Sequence, residues 1–282
     1  MIHFNRDAIL EILFKSEKNL TARAYIHKIA HKLSLNAGQA KKILKTLVDE
    51  QELVYQDLYG GTYVTQSFLK PVKVTDHFSL TPPEMESNTG PNDIKIIINQ
   101  GISFGSGHHP TTRLCLDAID TLFFNSPEIN FDKNLSGADI GTGSGVLAIA
   151  LCLAGIKRCK AWEIDPNAVS EAKKNVVSND LSHYITIIDN YMSLCEAEFS
   201  VICANLRYPT LKQLSYTIKS NLCAKGVIIL SGIRQWEKQD LIDHYTGIGF
   251  SLVWHKDEKK WSVVMMINLP WNKKHGLKSL PG

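Results

Sequence analysis

Little in this sequence ties it to a membrane, a metal or an oxidising compartment. No window holds 18 uninterrupted apolar residues, so no transmembrane helix and no membrane partner are expected. Met1 to Asp7 lack the basic segment and apolar run of a secretory signal. The six cysteines (Cys115, Cys152, Cys159, Cys195, Cys203 and Cys223) form no C-x-x-C pair, and their spacing to histidines fits no zinc motif. They read as reduced core thiols of a cytoplasmic protein, with no metal site. A net charge of +3 over 282 residues gives no global attraction to nucleic acid. Neither a Ser/His/Asp constellation nor a low-complexity tract stands out. What remains is a globular composition, 44% hydrophobic and 21% charged, long enough for two domains.

The pattern changes along the chain. In residues 1–66, a helix is expected over Asp7 to Phe14. A second follows a Thr21 N-cap, with Ile26, Ile29, Ala30 and Leu33 at helical spacing. A third starts at an Asn36/Gln39 capping box and carries Ala40, Ile43, Leu44 and Leu47 on one face. Leu53–Leu58 and Thr62–Val64 read as strands joined through Gly60-Gly61. Three helices and a two-stranded wing are the order of a winged helix-turn-helix, a candidate docking domain. Residues 67–92, with Pro71, Pro82, Pro83 and Pro91, read as a linker, and 272–282 as a frayed tail.

Residues 93–271 alternate strand-like and helical stretches, which implies an α/β domain with a mostly parallel sheet. Only a charged turn, Lys256 to Lys260, separates the last two strand runs, Ser251–Trp254 and Val263–Ile267. They must form an antiparallel hairpin at the sheet edge. That is the Rossmann-like class I methyltransferase arrangement.

The strongest local signal is Asp139-Ile140-Gly141-Thr142-Gly143-Ser144-Gly145, between a short strand and a helix. Glycines there let the backbone approach a ligand at the carboxyl end of the sheet. The spacing is G-x-G-x-G, which argues against the dinucleotide fingerprint. Glu163 ends the next strand, 22 positions after Gly141, where a carboxylate can accept ribose hydroxyls. Asp165-Pro166 suits the start of a helix. Asp189 follows the third strand, where it could reach an adenine amino group or simply be a solvated turn residue. Asn205 ends the fourth, where its side-chain carbonyl could receive an incoming N–H, or where it could serve a turn.

Phe104-Gly105-Ser106-Gly107-His108-His109-Pro110-Thr111-Thr112, the glycine loop, Ala204-Asn205-Leu206 and Leu230-Ser231-Gly232-Ile233 occur in that order. The set resembles the PrmA family, the methyltransferases of ribosomal protein L11, over roughly residues 94–268. The resemblance implies S-adenosyl-L-methionine as cofactor and methylation of amino groups on a protein, with a ribosomal protein as candidate substrate. It implies a cofactor-binding set of Phe104, Gly105, Gly107, Thr111, Thr112, Asp139, Gly141, Thr142, Gly143, Gly145, Glu163, Ile164, Asp189 and Asn205, with Asn205 also catalytic. His109 falls in the same loop and is expected to serve structural hydrogen bonding. Ser106 stands where the family has threonine, Glu163 where it has aspartate, and Arg207-Tyr208 where it has small or apolar residues. The family's N-terminal domain is a ferredoxin-like α/β unit, which residues 1–66 do not match.

Two alternatives remain at this point. Asn205-Leu206-Arg207-Tyr208 shares Asn and Tyr with the N-P-P-Y of nucleic-acid amino methylases. Lys41, Lys42 and Lys45 could bring RNA or DNA to the N-terminal domain, although its nine Lys/Arg against seven Asp/Glu are modest for phosphate binding. A regulator that senses S-adenosylmethionine is the other.

Overall fold

A computed structural model describes residues 5–268, except 17, 59, 84, 86–89, 91–92, 100, 102–103, 106, 108, 127–134 and 194–198. The tail at 272–282, Cys195, Ser106 and His108 therefore lie outside the described residues. The chain divides into two compact units, Met1–Lys70 and Pro71–Gly282.

The first unit runs α1 (Arg6–Phe14), β1 (Leu20–Thr21), α2 (Ala22–Leu33), α3 (Ala37–Asp49), β2 (Leu53–Leu58) and β3 (Gly61–Gln66). The expected caps are present. Thr21 Oγ1 accepts the Ala24 N–H, and Asn36 and Gln39 exchange two hydrogen bonds of 2.9 and 3.0 Å. Ala40, Ile43, Leu44 and Leu47 are the buried face of α3. In α2 the deepest residues are Tyr25 and Ile29, while Ile26, Ala30 and Leu33 flank them. Tyr25 can go inward because its hydroxyl donates to the Ile9 carbonyl at 2.8 Å, which removes the cost of burying an unpaired O–H. The expected hairpin is present as β2 and β3, and the two-residue β1 joins β3 to give three strands ordered β1-β3-β2. Two residues of β1 are too few to show alternation. Lys41, Lys42 and Lys45 are exposed on α3.

The second unit begins inside the stretch expected to be a linker. There β4 (Val72–Lys73) and β5 (Phe78–Thr81) join β6 (Ile94–Ile97) in a three-stranded sheet. The prolines lie outside these strands rather than within them, and β5 is buried throughout. Asp120 ties the β4–β5 turn down, accepting from Thr75 Oγ1 at 2.5 Å and the His77 N–H at 2.9 Å.

The main sheet follows the expected topology. Its strands are β7 (Ser136–Ile140), β8 (Arg158–Trp162), β9 (Ile185–Ile188), β10 (Phe199–Asn205), β11 (Leu222–Arg234), β12 (Ser251–Glu258) and β13 (Trp261–Ile267). They are ordered β12-β13-β11-β10-β7-β8-β9. Strands β9, β8, β7, β10 and β11 are parallel, and β13 is antiparallel to both β11 and β12. Helices α4 (Pro110–Phe124), α5 (Val146–Leu153), α6 (Pro166–Ser178), α7 (Tyr208–Ser220) and α8 (Gln235–Gly247) connect or flank them. No helix among the described residues is long and apolar enough to cross a membrane.

Candidate functional site

The carboxyl ends of β7, β8, β10 and β11 gather the residues singled out above. The loop after β7 is folded by its own side chains. Asp139 is buried, and its Oδ2 accepts from Thr142 Oγ1 at 2.5 Å and from the Ala148 N–H at 3.2 Å. Burial raises its carboxyl to about 7, against the lowering pull of those two donors. Asp139 and Thr142 thus shape the loop from behind.

Gly143 is where the loop needs glycine. Its φ is +57°, and a Cβ there would stand 2.4 Å from the Phe104 carbonyl oxygen. The same oxygen accepts the Ser144 N–H at 2.9 Å, so Phe104 and Gly105 lie directly on the glycine loop. Gly145 then starts α5.

Glu163 sits just beyond β8 and faces the loop. Its Oε2 accepts the Gly143 N–H at 2.9 Å, and its Oε1 accepts the N–H groups of Ile164 and Asp165 at 2.8 and 3.1 Å. A carboxylate offers about four acceptor sites, so three bonds leave capacity for one hydroxyl. Ile164 beside it is 53% exposed, an apolar surface at the strand end. Asp189, after β9, is exposed. Asp165 caps α6 through the Asn167 N–H.

Asn205 is the last residue of β10, opposite Ser231 of β11. Its Oδ1 is buried and has no partner among the described residues. Leu206 continues the turn, with its N–H on the Ser231 carbonyl at 3.1 Å and its side chain against Gly141. The turn can press so close because residue 232 is glycine: a Cβ there would lie 2.3 Å from the Leu206 oxygen.

From the contact with the glycine loop, Phe104 and residues 109–112 lead to the start of α4. Phe104 is 50% exposed. Its ring lies 5.0 Å from that of His109, which meets the ring of Trp261 edge-on at 4.7 Å. His109 caps α4, with its Nδ1 accepting from the Thr111 N–H and lying 2.8 Å from Thr111 Oγ1. Burial, with Arg113 and Arg234 nearby, lowers its pKa to about 4, so it is a neutral structural cap. Thr111 and Thr112 are buried at the start of α4. The Gly107 carbonyl accepts from Arg113, which also pairs with Glu258.

Sequence reasoning missed two asparagines that hold this edge together. Asn175 of α6 donates to the Ser144 carbonyl at 2.8 Å and accepts from Asn99. Asn179 mimics a strand for β6, accepting the Ile97 N–H and donating to the Ile97 carbonyl. No cluster of three or more metal-ligating side chains occurs among the described residues.

Residues 5–268 match the family model described as Ribosomal protein L11 methyltransferase (PrmA). Curated relatives with that name include one from Geotalea uraniireducens, 31% identical over 70% of this chain and 64% of the relative. Another, from Carboxydothermus hydrogenoformans, is 30% identical over 90% of this chain and 81% of its own. The chain thus spans just under two thirds of the first relative and about four fifths of the second. A solved structure of ribosomal protein L11 methylase from Lactobacillus delbrueckii subsp. bulgaricus superposes with a TM-score of 0.61 at 25% identity. It covers 71% of this chain and 99% of that one.

Proposed function

The chain belongs to the ribosomal protein L11 methyltransferase family of S-adenosylmethionine-dependent enzymes, and from that premise we propose that it methylates amino groups of a ribosomal protein. The observation that carries the reading is the buried, unpartnered Asn205 Oδ1 beside a loop that only glycine can form. The residues suit a nucleoside sulfonium. Glu163 has acceptor capacity for a ribose hydroxyl, Ile164 offers an apolar face for a base, and Asp189 an acceptor for its amino group. Backbone at 141–145 and at Gly105 and Gly107 would hold the amino-acid end. Asp139, Thr142 and Thr111 serve by fixing those two loops, and Thr112 lies buried at the start of α4.

Bound there, S-adenosylmethionine supplies a methyl group already activated on sulfur. The protein's remaining task is proximity and alignment. Asn205 Oδ1 accepts an N–H of the incoming amine and so orients its lone pair. A lysine must lose its proton first, since its ordinary pKa is about 10.4. Among the described residues, neither of the two titratable groups at the loop with a shifted pKa is free to take that proton. His109 is tied up as a cap with a depressed pKa, and Asp139 is shut behind the loop. Desolvation at the mouth favours the neutral amine, with the proton leaving to water.

Family membership favours a protein acceptor over nucleic acid, and residues 1–66, within the first unit, are then a winged-helix-like docking domain on an enzyme working in the cytoplasm. Incubation with labelled S-adenosylmethionine and a ribosomal-protein fraction tests this. Label that survives nuclease and is lost to protease is expected; label in RNA would overturn the reading.

A further inference from the structure

The row of rings that starts at Phe104 on the glycine loop ends in a cation that makes no side-chain hydrogen bond or ion pair among the described residues. Arg234 closes β11, three residues beyond Ser231, the partner of Asn205. Its guanidinium carbon lies 3.6 Å from the centre of the Trp261 ring and 5.7 Å from that of Trp236. The contacts from Gly143 through Phe104, His109, Trp261 and Arg234 lead back along β11 to Gly232, Leu206 and Gly141. They connect the glycine loop, the loop after β10 and the end of β11, with the buried Asn205 Oδ1 at the end of β10. Glu237 does not neutralise this cation as an ion-pair partner: its carboxylate accepts the Arg234 backbone N–H at 2.7 Å. The nearby acids are committed, Glu258 to Arg113 and Asp257 to Lys238. No carboxylate among the described residues pairs with the Arg234 side chain.

A guanidinium has five N–H donors in a planar fork that matches a carboxylate with two parallel bonds. Stacking on an indole fixes its plane while leaving the edge free, so little entropy is lost on pairing. Arg234 and Arg113 both act on His109, helping to lower its pKa. Trp236 is 70% exposed beside it, the kind of anchor a protein surface covers.

We propose that Arg234 reads a carboxylate of the acceptor protein, so that the methylated amine is one flanked by an acidic residue. The inference rests on the methyltransferase reading for the identity of the mouth. Arg234 is then a specificity residue: it holds the acceptor chain while Asn205 receives the amine.

The test uses the full chain with nitrogen-labelled arginine, titrated with and without S-adenosylhomocysteine against two blocked peptides, Glu-Lys-Glu and Gln-Lys-Gln. The Arg234 side-chain resonance should move with the first peptide and stay still with the second. Arg234→Gln should lose the peptide preference, and Arg234→Lys should keep part of it. With the ribosomal-protein fraction as acceptor, Arg234→Gln should raise KM by about 10- to 100-fold, with the loss falling on KM rather than on kcat. An Arg234 resonance that ignores Glu-Lys-Glu, or responds equally to both peptides, overturns the proposal. Failure of wild-type protein to bind S-adenosylhomocysteine would instead count against the enzymatic reading, and the peptide titration would still judge Arg234.

Discussion

The Gly143 N–H donates to Glu163 Oε2 at 2.9 Å, so the residue expected to hold a ribose also holds the glycine loop in shape. Glu163→Ala should therefore weaken S-adenosylhomocysteine binding by about 1–3 kcal/mol, the worth of charge-assisted hydrogen bonds. Gly143→Val should abolish binding, because its Cβ would displace the Phe104 carbonyl. Calorimetry decides both, and unchanged affinity in Glu163→Ala would remove that carboxylate from the site.

Asn205→Ala should leave cofactor affinity intact and lower kcat by about 10- to 100-fold, since the missing acceptor acts on the nucleophile. Asn205→Asp keeps an acceptor but adds a charge that favours the ammonium, so it should also be slow at neutral pH and recover as pH rises. Steady-state rates across pH distinguish the two variants.

Asp139 gives the fold a pH signature. Its carboxyl, raised to about 7 by burial, holds its proton more tightly folded than unfolded. The stability this contributes is complete below the unfolded pKa of about 3.9 and is lost as pH rises through 7. His109 works the other way: its pKa, lowered to about 4, gives stability present above about 6.5 and lost as pH falls. The two slopes overlap, so Asp139→Asn must be compared with wild type at each pH. The variant should gain relative stability between pH 4 and 7, by an amount on the order of 4 kcal/mol at most. Denaturant melts without that trend would show that Asp139 titrates normally.

Deleting residues 1–66 should leave S-adenosylhomocysteine binding unchanged and abolish methylation of the natural acceptor. The double change Lys41→Ala, Lys42→Ala should reduce acceptor affinity if the exposed face of α3 is the docking face. Full methylation by the truncated enzyme would make the first unit dispensable for recognition.

The readable parts of this molecule were those whose signals are local. The Asn36–Gln39 box, the turn between β12 and β13, and the Gly141–Gly145 loop each announce themselves within a few residues. Glu163 was readable because strand–loop–helix units have a nearly fixed length. Asn175 and Asn179 were not, since their partners at Asn99 and Ile97 lie 76 and 82 positions away. Strand β5 was hidden because four residues between prolines resemble a linker until Phe78–Thr81 pair with Ile94–Ile97. The Arg234–Trp261 stack depends on the register of β11 against β13, which no local pattern fixes.

That β13 lies between β11 and β12 has a bearing on how the chain is made. Strand β12 is synthesised before β13, yet it has nothing to pair with until β13 arrives, because β11 never touches it in the sheet. During translation the edge of β11 therefore stays open, and the mouth lacks Trp261, until nearly all of the described chain has emerged. The first unit has every one of its strands and helices by Gln66. On the ribosome, the part proposed to seek a protein partner is complete long before the part that would modify it can close.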